Sequence, residues 1–396
     1  MTRKLSVQNL HDLRGKRVFC RVDFNVPIEA GRVTDDTRIA SSLPTIRLLR
    51  EAGARVILAS HLGRPKGKPR PEFSLAPVAA HLASMLGQPV AHAADCIGEP
   101  AERAVAQLPP GGILLLENLR FHAGEEANDP GFSDALARLG DLYVNDAFGS
   151  AHRAHASTAG VPARLKPAAA GLLMQAELAH LGRLLDNPAH PFLAILGGAK
   201  VSDKIELIEN LLPRVDGFLV GGAMAYTFLK AQGHPIGRSL VEAEKLDLAH
   251  ALLARVAAAG KRFLLPVDHI AAVGGDDTNV RATAGIALAD DEAGMDIGPN
   301  TAASFEAEIG RAGTVLWNGP VGRFEVEAFS RGSRGIAEAL AASHAVSVVG
   351  GGDTGAAVQR FGLTSRMTHV STGGGASLEF LSGLPLPGVA ALDDAP

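Results

Sequence analysis

AVSVVGGGDTG, Ala345 to Gly355, runs from four β-favouring positions straight into a glycine triplet and then Asp-Thr-Gly. An apolar run that ends in glycine and is followed by helix-start residues is the turn of a βα unit. The same ending recurs in FLAILGGAK (192–200), GFLVGGAMA (217–225) and THVSTGGGAS (368–377). Further short β-rich runs are RVFCRVDFN (17–25), ARVILASHLGRP (54–65), ILLLENLRF (113–121), DLYVNDAFG (141–149), RFLLPVDHI (262–270) and TVLWNGPVG (314–322). Between them lie longer Ala/Leu-rich helical segments, and this alternation predicts βαβ units around mainly parallel sheets. The fold class is therefore α/β, doubly wound and Rossmann-like.

Composition bounds the rest. The chain has 396 residues, and a prior of about one domain per 150 residues gives two or three domains. Hydrophobic residues make up 46%, with 45 Gly and 23 Pro, which describes a well-buried, turn-rich globular protein. A net charge of −4 argues against a general nucleic-acid or anionic-membrane binder. Two cysteines, Cys20 and Cys96, exclude a disulfide framework and offer no Cys-based zinc motif. The first residues carry no apolar run of signal-peptide length, and no stretch reaches the ~18 apolar residues of a membrane helix. A soluble, cytoplasmic protein is the expectation.

GLLMQAELAHLGRLLDN (171–187) precedes Pro188 and places Leu178, Leu181 and Leu185 at helical spacing. It is read as the connector of two domains, 1–170 and 188–377; an ordinary helix inside one large domain is the alternative.

The two halves carry different chemistry at their strand ends, where α/β sheets bind ligands. In the first half RVDFNVP (21–27) alternates Val22, Phe24 and Val26 with Arg21, Asp23 and Asn25, a strand with a polar face. His61, Arg64, Arg120, Asn145 and Asp146 stand at comparable ends, and Arg38, His152 and Arg153 add to the set. A single arginine is usually a surface ion-pair partner. Several on one sheet edge fit a small ligand with a phosphate and a carboxylate, which guanidinium forks bind bidentately. The histidines show no metal-ligand spacing.

In the second half the ends are bare backbone: Gly197-Gly198, Gly221-Gly222, Gly350 to Gly352 and Gly373 to Gly375. Glycine admits a close ligand, and helix N-termini attract anions, so phosphate binding competes with a purely structural turn. GGGDTG fits the dinucleotide pattern G-x-G-x-x-G, but the next strand, MTHVSTGGG, lacks the acid that would bind a ribose hydroxyl. In GGAKVSDKIELIENLL (197–212), Ser202 is the expected N-cap and Ile205, Ile208 and Leu212 the buried stripe. Lys200 and Lys204 crowd that helix start, which favours an anion there over two solvated lysines. Asp353 would repel a phosphate unless a divalent cation lay between them; an N-cap is the alternative.

RVDFNVP, DDTRI, HLGRP, LLLENLRF, VNDAFGSAHRAHAST, GGAKVSDK, WNGPVGRFE, GGGDTG and STGGGAS, in this order, resemble the phosphoglycerate kinase family over about residues 5–382. The resemblance implies phosphoryl transfer between Mg-ATP and 3-phosphoglycerate, giving ADP and 1,3-bisphosphoglycerate. It implies two Rossmann-like domains joined by a hinge helix, with the segment from about 378 to 396 returning to the N-terminal domain. Asp23, Phe24, Asn25, Arg38, His61, Leu62, Gly63, Arg64, Arg120 and Arg153 would hold the phosphoglycerate, with Arg21 in the same site. Gly198, Lys200, Lys204, Gly221, Gly222, Asn318, Pro320, Glu325, Gly350, Gly351, Gly352, Asp353 and Thr354 would hold the nucleotide. Arg38, Lys200, Lys204, Gly352 and Gly374 would be catalytic, and Asp353 would meet Mg²⁺. The family is mostly monomeric, and neither nucleic acid nor membrane is an expected partner.

Two departures from the family pattern flank Glu325. Arg323 stands where a small apolar residue is usual, and Val326 replaces a common Trp. A carboxylate nucleophile is ionised at neutral pH, which accounts for the lack of a general base in the pattern; positioning and charge stabilisation remain. Ligands on separate domains imply hinge closure near 171–187. A nicotinamide-dependent dehydrogenase and a non-catalytic phosphometabolite-binding protein are the rival readings.

Overall fold

A computed structural model describes residues 3–396, which divide into two compact units. The first runs to Ala179 and takes up Pro385–Pro396; the second is His180–Leu384. Each is built on one six-stranded parallel sheet.

In the first unit the strand order is Ala91–His92, Ile113–Leu115, Arg55–Ala59, Arg17–Arg21, Leu142–Asn145, Ala168–Ala170. The chain fills one side of Arg17–Arg21 first, laying down the edge strand Ala91–His92 before Ile113–Leu115 inserts inside it, and then fills the other side. The switch point therefore lies between Arg17–Arg21 and Leu142–Asn145, where Arg21 pairs in register with Asn145. Both faces of this sheet are covered, so its strands read as continuous apolar runs: Val18, Phe19 and Cys20 are all fully buried. A core of Val18, Cys20, Val22, Phe24, Ile39, Ile46, Val56, Leu58 and Val144 lies on one side.

The second unit orders its strands Arg262–Leu264, Gly217–Val220, Phe192–Leu196, Thr314–Asn318, Val346–Gly350, His369–Val370. In sequence rank this is 3-2-1-4-5-6, the Rossmann order, with its switch point between Leu196 and Asn318. Trp317, Ile195, Val349, Phe305 and Ile336 share its core.

Three expectations need correction. RVDFNVP is not a strand throughout: the strand ends at Arg21, and Val26 N–H turns back to the Phe24 carbonyl at 2.9 Å. RFLLPVDHI splits between the parallel sheet (Arg262–Leu264) and a separate antiparallel sheet of His269–Val273, Asp276–Ala282 and Glu292–Ile297. The helix after GGAK starts at Ile205, not after Ser202, whose hydroxyl donates instead to Glu242 at 2.6 Å; Leu207, Ile208 and Leu211 form the buried stripe.

The connector helix is Leu172–Asp186, and the division between the units falls within it at 179/180. Of the stripe expected there, Leu181 is buried while Leu178 and Leu185 are half-buried; Met174 and Leu184 are the deeper residues. The returning segment begins at Pro385 rather than near 378. Leu381 is still tied to the second unit through its carbonyl and Asn210 Nδ2 (2.6 Å), whereas Gly388 N–H donates to Ala151 O (2.8 Å) and Leu5 N–H to Asp393 O (2.8 Å).

Candidate active site

Of the polar residues of RVDFNVP, Arg21 and Asp23 are buried and Asn25 is half-buried. Arg21 is 1% exposed, and its guanidinium is spent on the protein: Ser157 Oγ at 2.9 Å, His61 Nδ1 at 3.1 Å, Ser150 Oγ at 3.5 Å and the Val22 carbonyl. A charge so enclosed needs this full set of acceptors, because taking it out of water is expensive. Behind Ser157 stands a buried Glu125, which accepts from Ser157 Oγ at 2.6 Å and from its N–H at 3.0 Å. Arg21, Ser157 and Glu125 thus form one supporting chain.

What it supports is His61. Burial pushes the imidazole pKa well down, and the charges of Arg21, Arg120, Arg153 and Arg38 push it further. With Nδ1 accepting from Arg21, the neutral ring carries its proton on Nε2 and offers that N–H as a donor. An uncharged histidine thus sits against the Arg21 guanidinium, with the charges of Arg120, Arg153 and Arg38 acting on it as well.

The rest of the cluster is held by reciprocal bonds. Asp23 Oδ2 accepts from Arg38 Nη1 at 2.9 Å, and its Oδ1 accepts from the Asn25 N–H at 3.2 Å. Asn25 Oδ1 in turn accepts from the Gly63 N–H at 2.8 Å, and the Gly63 carbonyl accepts from Arg120 Nη1 at 2.9 Å. Gly63 has φ +62°, and a Cβ there would meet the Phe73 ring at 2.4 Å, so only glycine fits. Asn118 clasps Leu62 from both sides, donating to its carbonyl at 2.7 Å and accepting from its N–H at 3.2 Å. Phe24 is fully buried and anchors the segment to the core.

Arg153 is half-buried, with Nε 3.2 Å from His152 Nε2. Arg64 is exposed and is not among the charges that act on His61. Asn145 and Asp146 do not join the cluster. Asn145 donates to the Gly388 carbonyl at 3.2 Å, and Asp146 accepts from Leu173 and Met174 N–H at 2.9 and 3.2 Å, capping the connector helix. Ser157 lies within the stretch VNDAFGSAHRAHAST but no local pattern marks it as a partner of Arg21, and Glu125 lies outside the strand-end motifs.

In the second unit the glycine clusters divide into two kinds. Gly197-Gly198 and Gly221-Gly222 pack backbone against backbone: Gly198 N–H donates to Pro320 O at 3.0 Å and Gly222 N–H to Val321 O at 2.9 Å. Gly222 has φ +65°, and a Cβ on it would meet Gly198 N at 2.6 Å. Gly350 ends its strand, and Gly351 N-caps the helix Gly352–Arg360 with φ +93°. Gly374, with φ +53°, stands in the same position before Gly375–Leu381. The first amides of such helices have no intrahelical partner, and those of Gly352 and Asp353 are open to an anion.

Lys204 is half-buried directly before the helix Ile205–Leu211, and its ammonium donates to Asn318 Oδ1. Burial lowers its pKa, while Asp203 and Asp353 act to raise it. Lys200 is exposed, and among the described residues no hydrogen bond or ion pair holds its ammonium. Thr354 Oγ1 accepts from the Gly319 N–H at 2.7 Å, locking the glycine-rich helix onto the end of Thr314–Asn318. Asp353 is exposed in the first helical turn, and among the described residues nothing hydrogen-bonds its carboxylate. A free carboxylate beside open helix amides fits Mg²⁺, which takes one or two protein oxygens and keeps water and phosphate for the rest.

Beside this edge opens a cavity of about 490 Å³ whose lining includes Gly198, Gly222, Pro320, Arg323 and Glu325. Its apolar walls come from Tyr226, Leu240, Pro266, Ala293 and Met295, which no motif announced. Arg323 is fixed at the rim: Nη1 lies 2.9 and 3.1 Å from the Asp277 oxygens, and the guanidinium sits 5.8 Å from the Phe329 ring centre. Val326 does not line the cavity; its N–H closes a turn onto Arg323 O at 3.0 Å.

Known proteins match this architecture end to end. The family model described as Phosphoglycerate kinase matches residues 7–384. A phosphoglycerate kinase of Koribacter versatilis is 57% identical over 402 residues, covering 98% of this chain and 99% of the relative. That of Anaeromyxobacter dehalogenans is 56% identical over 387 residues, covering 97% and 98%. Among solved structures, phosphoglycerate kinase from Coxiella burnetii superposes with a TM-score of 0.88 at 47% identity, covering 98% of both chains. That from Pyrococcus horikoshii does so with a TM-score of 0.86 at 33% identity, again over 98% of both. The chain belongs to the phosphoglycerate kinase family and is a phosphotransferase of that kind.

Proposed function

We propose that the two units divide the ligands of phosphoryl transfer: the first holds 3-phosphoglycerate on its arginine face, and the second holds Mg-ATP or Mg-ADP on its glycine-rich edge. The observation that carries this reading is one hydrogen-bonded cluster at the strand ends of the first unit, in which Arg21 meets His61 at 3.1 Å, Arg38 meets Asp23 at 2.9 Å and Arg120 meets the Gly63 carbonyl at 2.9 Å. Such a site attracts an anion with several charged groups and offers an uncharged N–H to a hydroxyl. Asp23 and Asn25 then orient Arg38 and the Gly63 loop rather than meeting phosphate, which a carboxylate would repel.

In the ATP-consuming direction the substrate carboxylate attacks the γ-phosphorus, and no proton has to be removed first. Catalysis reduces to alignment and to spreading charge off the transferring group. Arg38 from the first unit and Lys200 and Lys204 from the second supply that charge, with the open amides at Gly352 and Gly374 as further donors. Asp353 would hold Mg²⁺, which lowers the charge repulsion between nucleotide phosphates and nucleophile. Glu325 and the cavity beside it would receive the nucleoside. Because the ligands sit on different units, transfer requires those units to close, and closure excludes water that would otherwise hydrolyse ATP. The protein is taken to act as a cytoplasmic monomer on small molecules alone. Its net charge of −4 accords with that, and among the described residues no helix is long and apolar enough to cross a membrane.

A coupled assay supplying ATP, Mg²⁺ and 3-phosphoglycerate tests the reading. ADP and 1,3-bisphosphoglycerate form if it holds. Binding without turnover would make the protein a phosphometabolite binder, and calorimetric binding of NAD(H) without that turnover would favour a dehydrogenase.

A further inference from the structure

A second cluster of donor atoms lies in the first unit, outside the arginine face. Asp95 and Cys96 follow the edge strand Ala91–His92, and His122 follows the turn Leu119–Phe121 beyond Ile113–Leu115. These two strands are parallel neighbours, so their following loops emerge on the same sheet edge. The fold thereby brings a carboxylate and an adjacent thiol together with an imidazole that lies 27 residues beyond the carboxylate in sequence. One ligand atom from each falls within 4.8 Å of the other two.

We propose that Asp95, Cys96 and His122 bind a divalent cation of the zinc kind, with water in the fourth position. One sulfur, one nitrogen and one oxygen donor suit zinc or cobalt, whereas magnesium and calcium take oxygen alone. The access is right for such a site. Cys96 is fully buried, while the His122 and Asp95 side chains are 31% and 39% exposed, leaving one side open to the cation and its water. The His122 ring is held against Phe132 at 5.3 Å between centres, so its orientation is set before any ion arrives.

A surface Asp–His pair is the plainer reading, and the 2.7 Å contact of His122 Nε2 with Asp95 Oδ1 is consistent with it. That reading leaves the thiol unexplained. The Cys96 sulfur lies within 4.8 Å of both the Asp95 and the His122 donor atoms, and a divalent cation among them takes the sulfur as thiolate. Sulfur, nitrogen and oxygen donors around a tetrahedral zinc stand about 3.3–3.6 Å apart, so the three groups need shifts of roughly an ångström. The site escapes a sequence search because its ligands follow no short spacing.

Chelator-treated, nucleotide-free protein titrated with cobalt(II) alone tests the assignment. A sulfur-to-cobalt charge-transfer band with tetrahedral d–d absorption is expected, saturating at one equivalent and bleached by zinc. Cys96→Ser should abolish the charge-transfer band, and His122→Ala and Asp95→Asn should each weaken cobalt binding at least ~10-fold. Asp353 offers only oxygen and cannot give this band; Cys20, the one other thiol, lies in the central strand Arg17–Arg21 and, among the described residues, belongs to no such group of donors. No band in the wild-type protein overturns the proposal. So does a band that survives Cys96→Ser, or one that is indifferent to both His122→Ala and Asp95→Asn. Circular dichroism of each variant shows whether it is folded; should Cys96→Ser unfold, the two surface variants decide alone.

Discussion

Arg38 Nη1 donates to Asp23 Oδ2 at 2.9 Å, and the two side chains are 38% and 10% exposed. The carboxylate is the fixed partner and the arginine the reaching one. An ion pair this open contributes little to stability, at most about 1 kcal/mol. Arg38→Ala should therefore leave the thermal midpoint nearly unchanged while kcat falls by about 10³-fold or more, as for other arginines that steady a transferring phosphoryl group. Near wild-type kcat would remove Arg38 from the chemistry.

Glu125 makes the opposite kind of contribution. It is fully buried, binds Ser157 through both oxygens and faces Arg21 through that serine. Glu125→Ala strands the Ser157 amide and removes the charge nearest a buried guanidinium. A loss of about 3 kcal/mol is expected from urea unfolding, since breaking a buried charged network costs that much. A loss below about 1 kcal/mol would show that Arg21 is supported by its neutral acceptors alone.

Asp353 is free where a metal–nucleotide complex would approach. Asp353→Ala should raise the Mg²⁺ concentration needed for half-maximal turnover and leave the apparent KM for 3-phosphoglycerate within about twofold. An unchanged Mg²⁺ dependence counts against metal contact there.

Stability should depend on pH through Asp296. This carboxyl lines the 490 Å³ cavity of the second unit, is 2% exposed and is pushed up to about 7 by burial, against 3.8 ordinarily, despite accepting from Gly332 and Ile297 N–H. A raised folded-state pKa means the folded form holds its proton more tightly than the unfolded chain. The associated stability is complete below the ordinary value and drains away as pH rises through about 7, by a total on the order of 4 kcal/mol. Asp146, pushed up to about 6, adds in the same direction. Unfolding free energies measured from pH 5 to 8 should fall more steeply in the wild type than in Asp296→Asn. Equal slopes would mean that the group ionises freely in the fold.

Much of this was legible because the central strands are buried on both faces. Phe192–Leu196 is apolar throughout and Thr314–Asn318 is apolar at its centre, both are buried at every position, and such runs announce themselves. Ala91–His92 and Ala168–Ala170 are too short and too rich in alanine to carry a period. Asp276–Ala282, DDTNVRA, lies almost wholly exposed and looks like a loop until it is paired. The charged face of RVDFNVP was visible, but not the direction of Arg21. That depends on Ser157 and His61, which stand 136 and 40 residues away and reach it only through tertiary packing. The cavity walls at Tyr226, Leu240 and Met295 are ordinary apolar residues whose meeting no local pattern encodes.

The division of ligands between the units is measured most directly by calorimetry on three proteins: wild type, Arg120→Ala and Lys204→Ala. Each is titrated separately with 3-phosphoglycerate and with Mg-ADP. Arg120→Ala should weaken 3-phosphoglycerate at least ~10-fold and leave Mg-ADP within twofold, with the reverse for Lys204→Ala. Equal loss of both ligands in either folded variant, or loss of the nucleotide alone in Arg120→Ala, would contradict the assignment of the arginine face to phosphoglycerate and the glycine-rich edge to nucleotide.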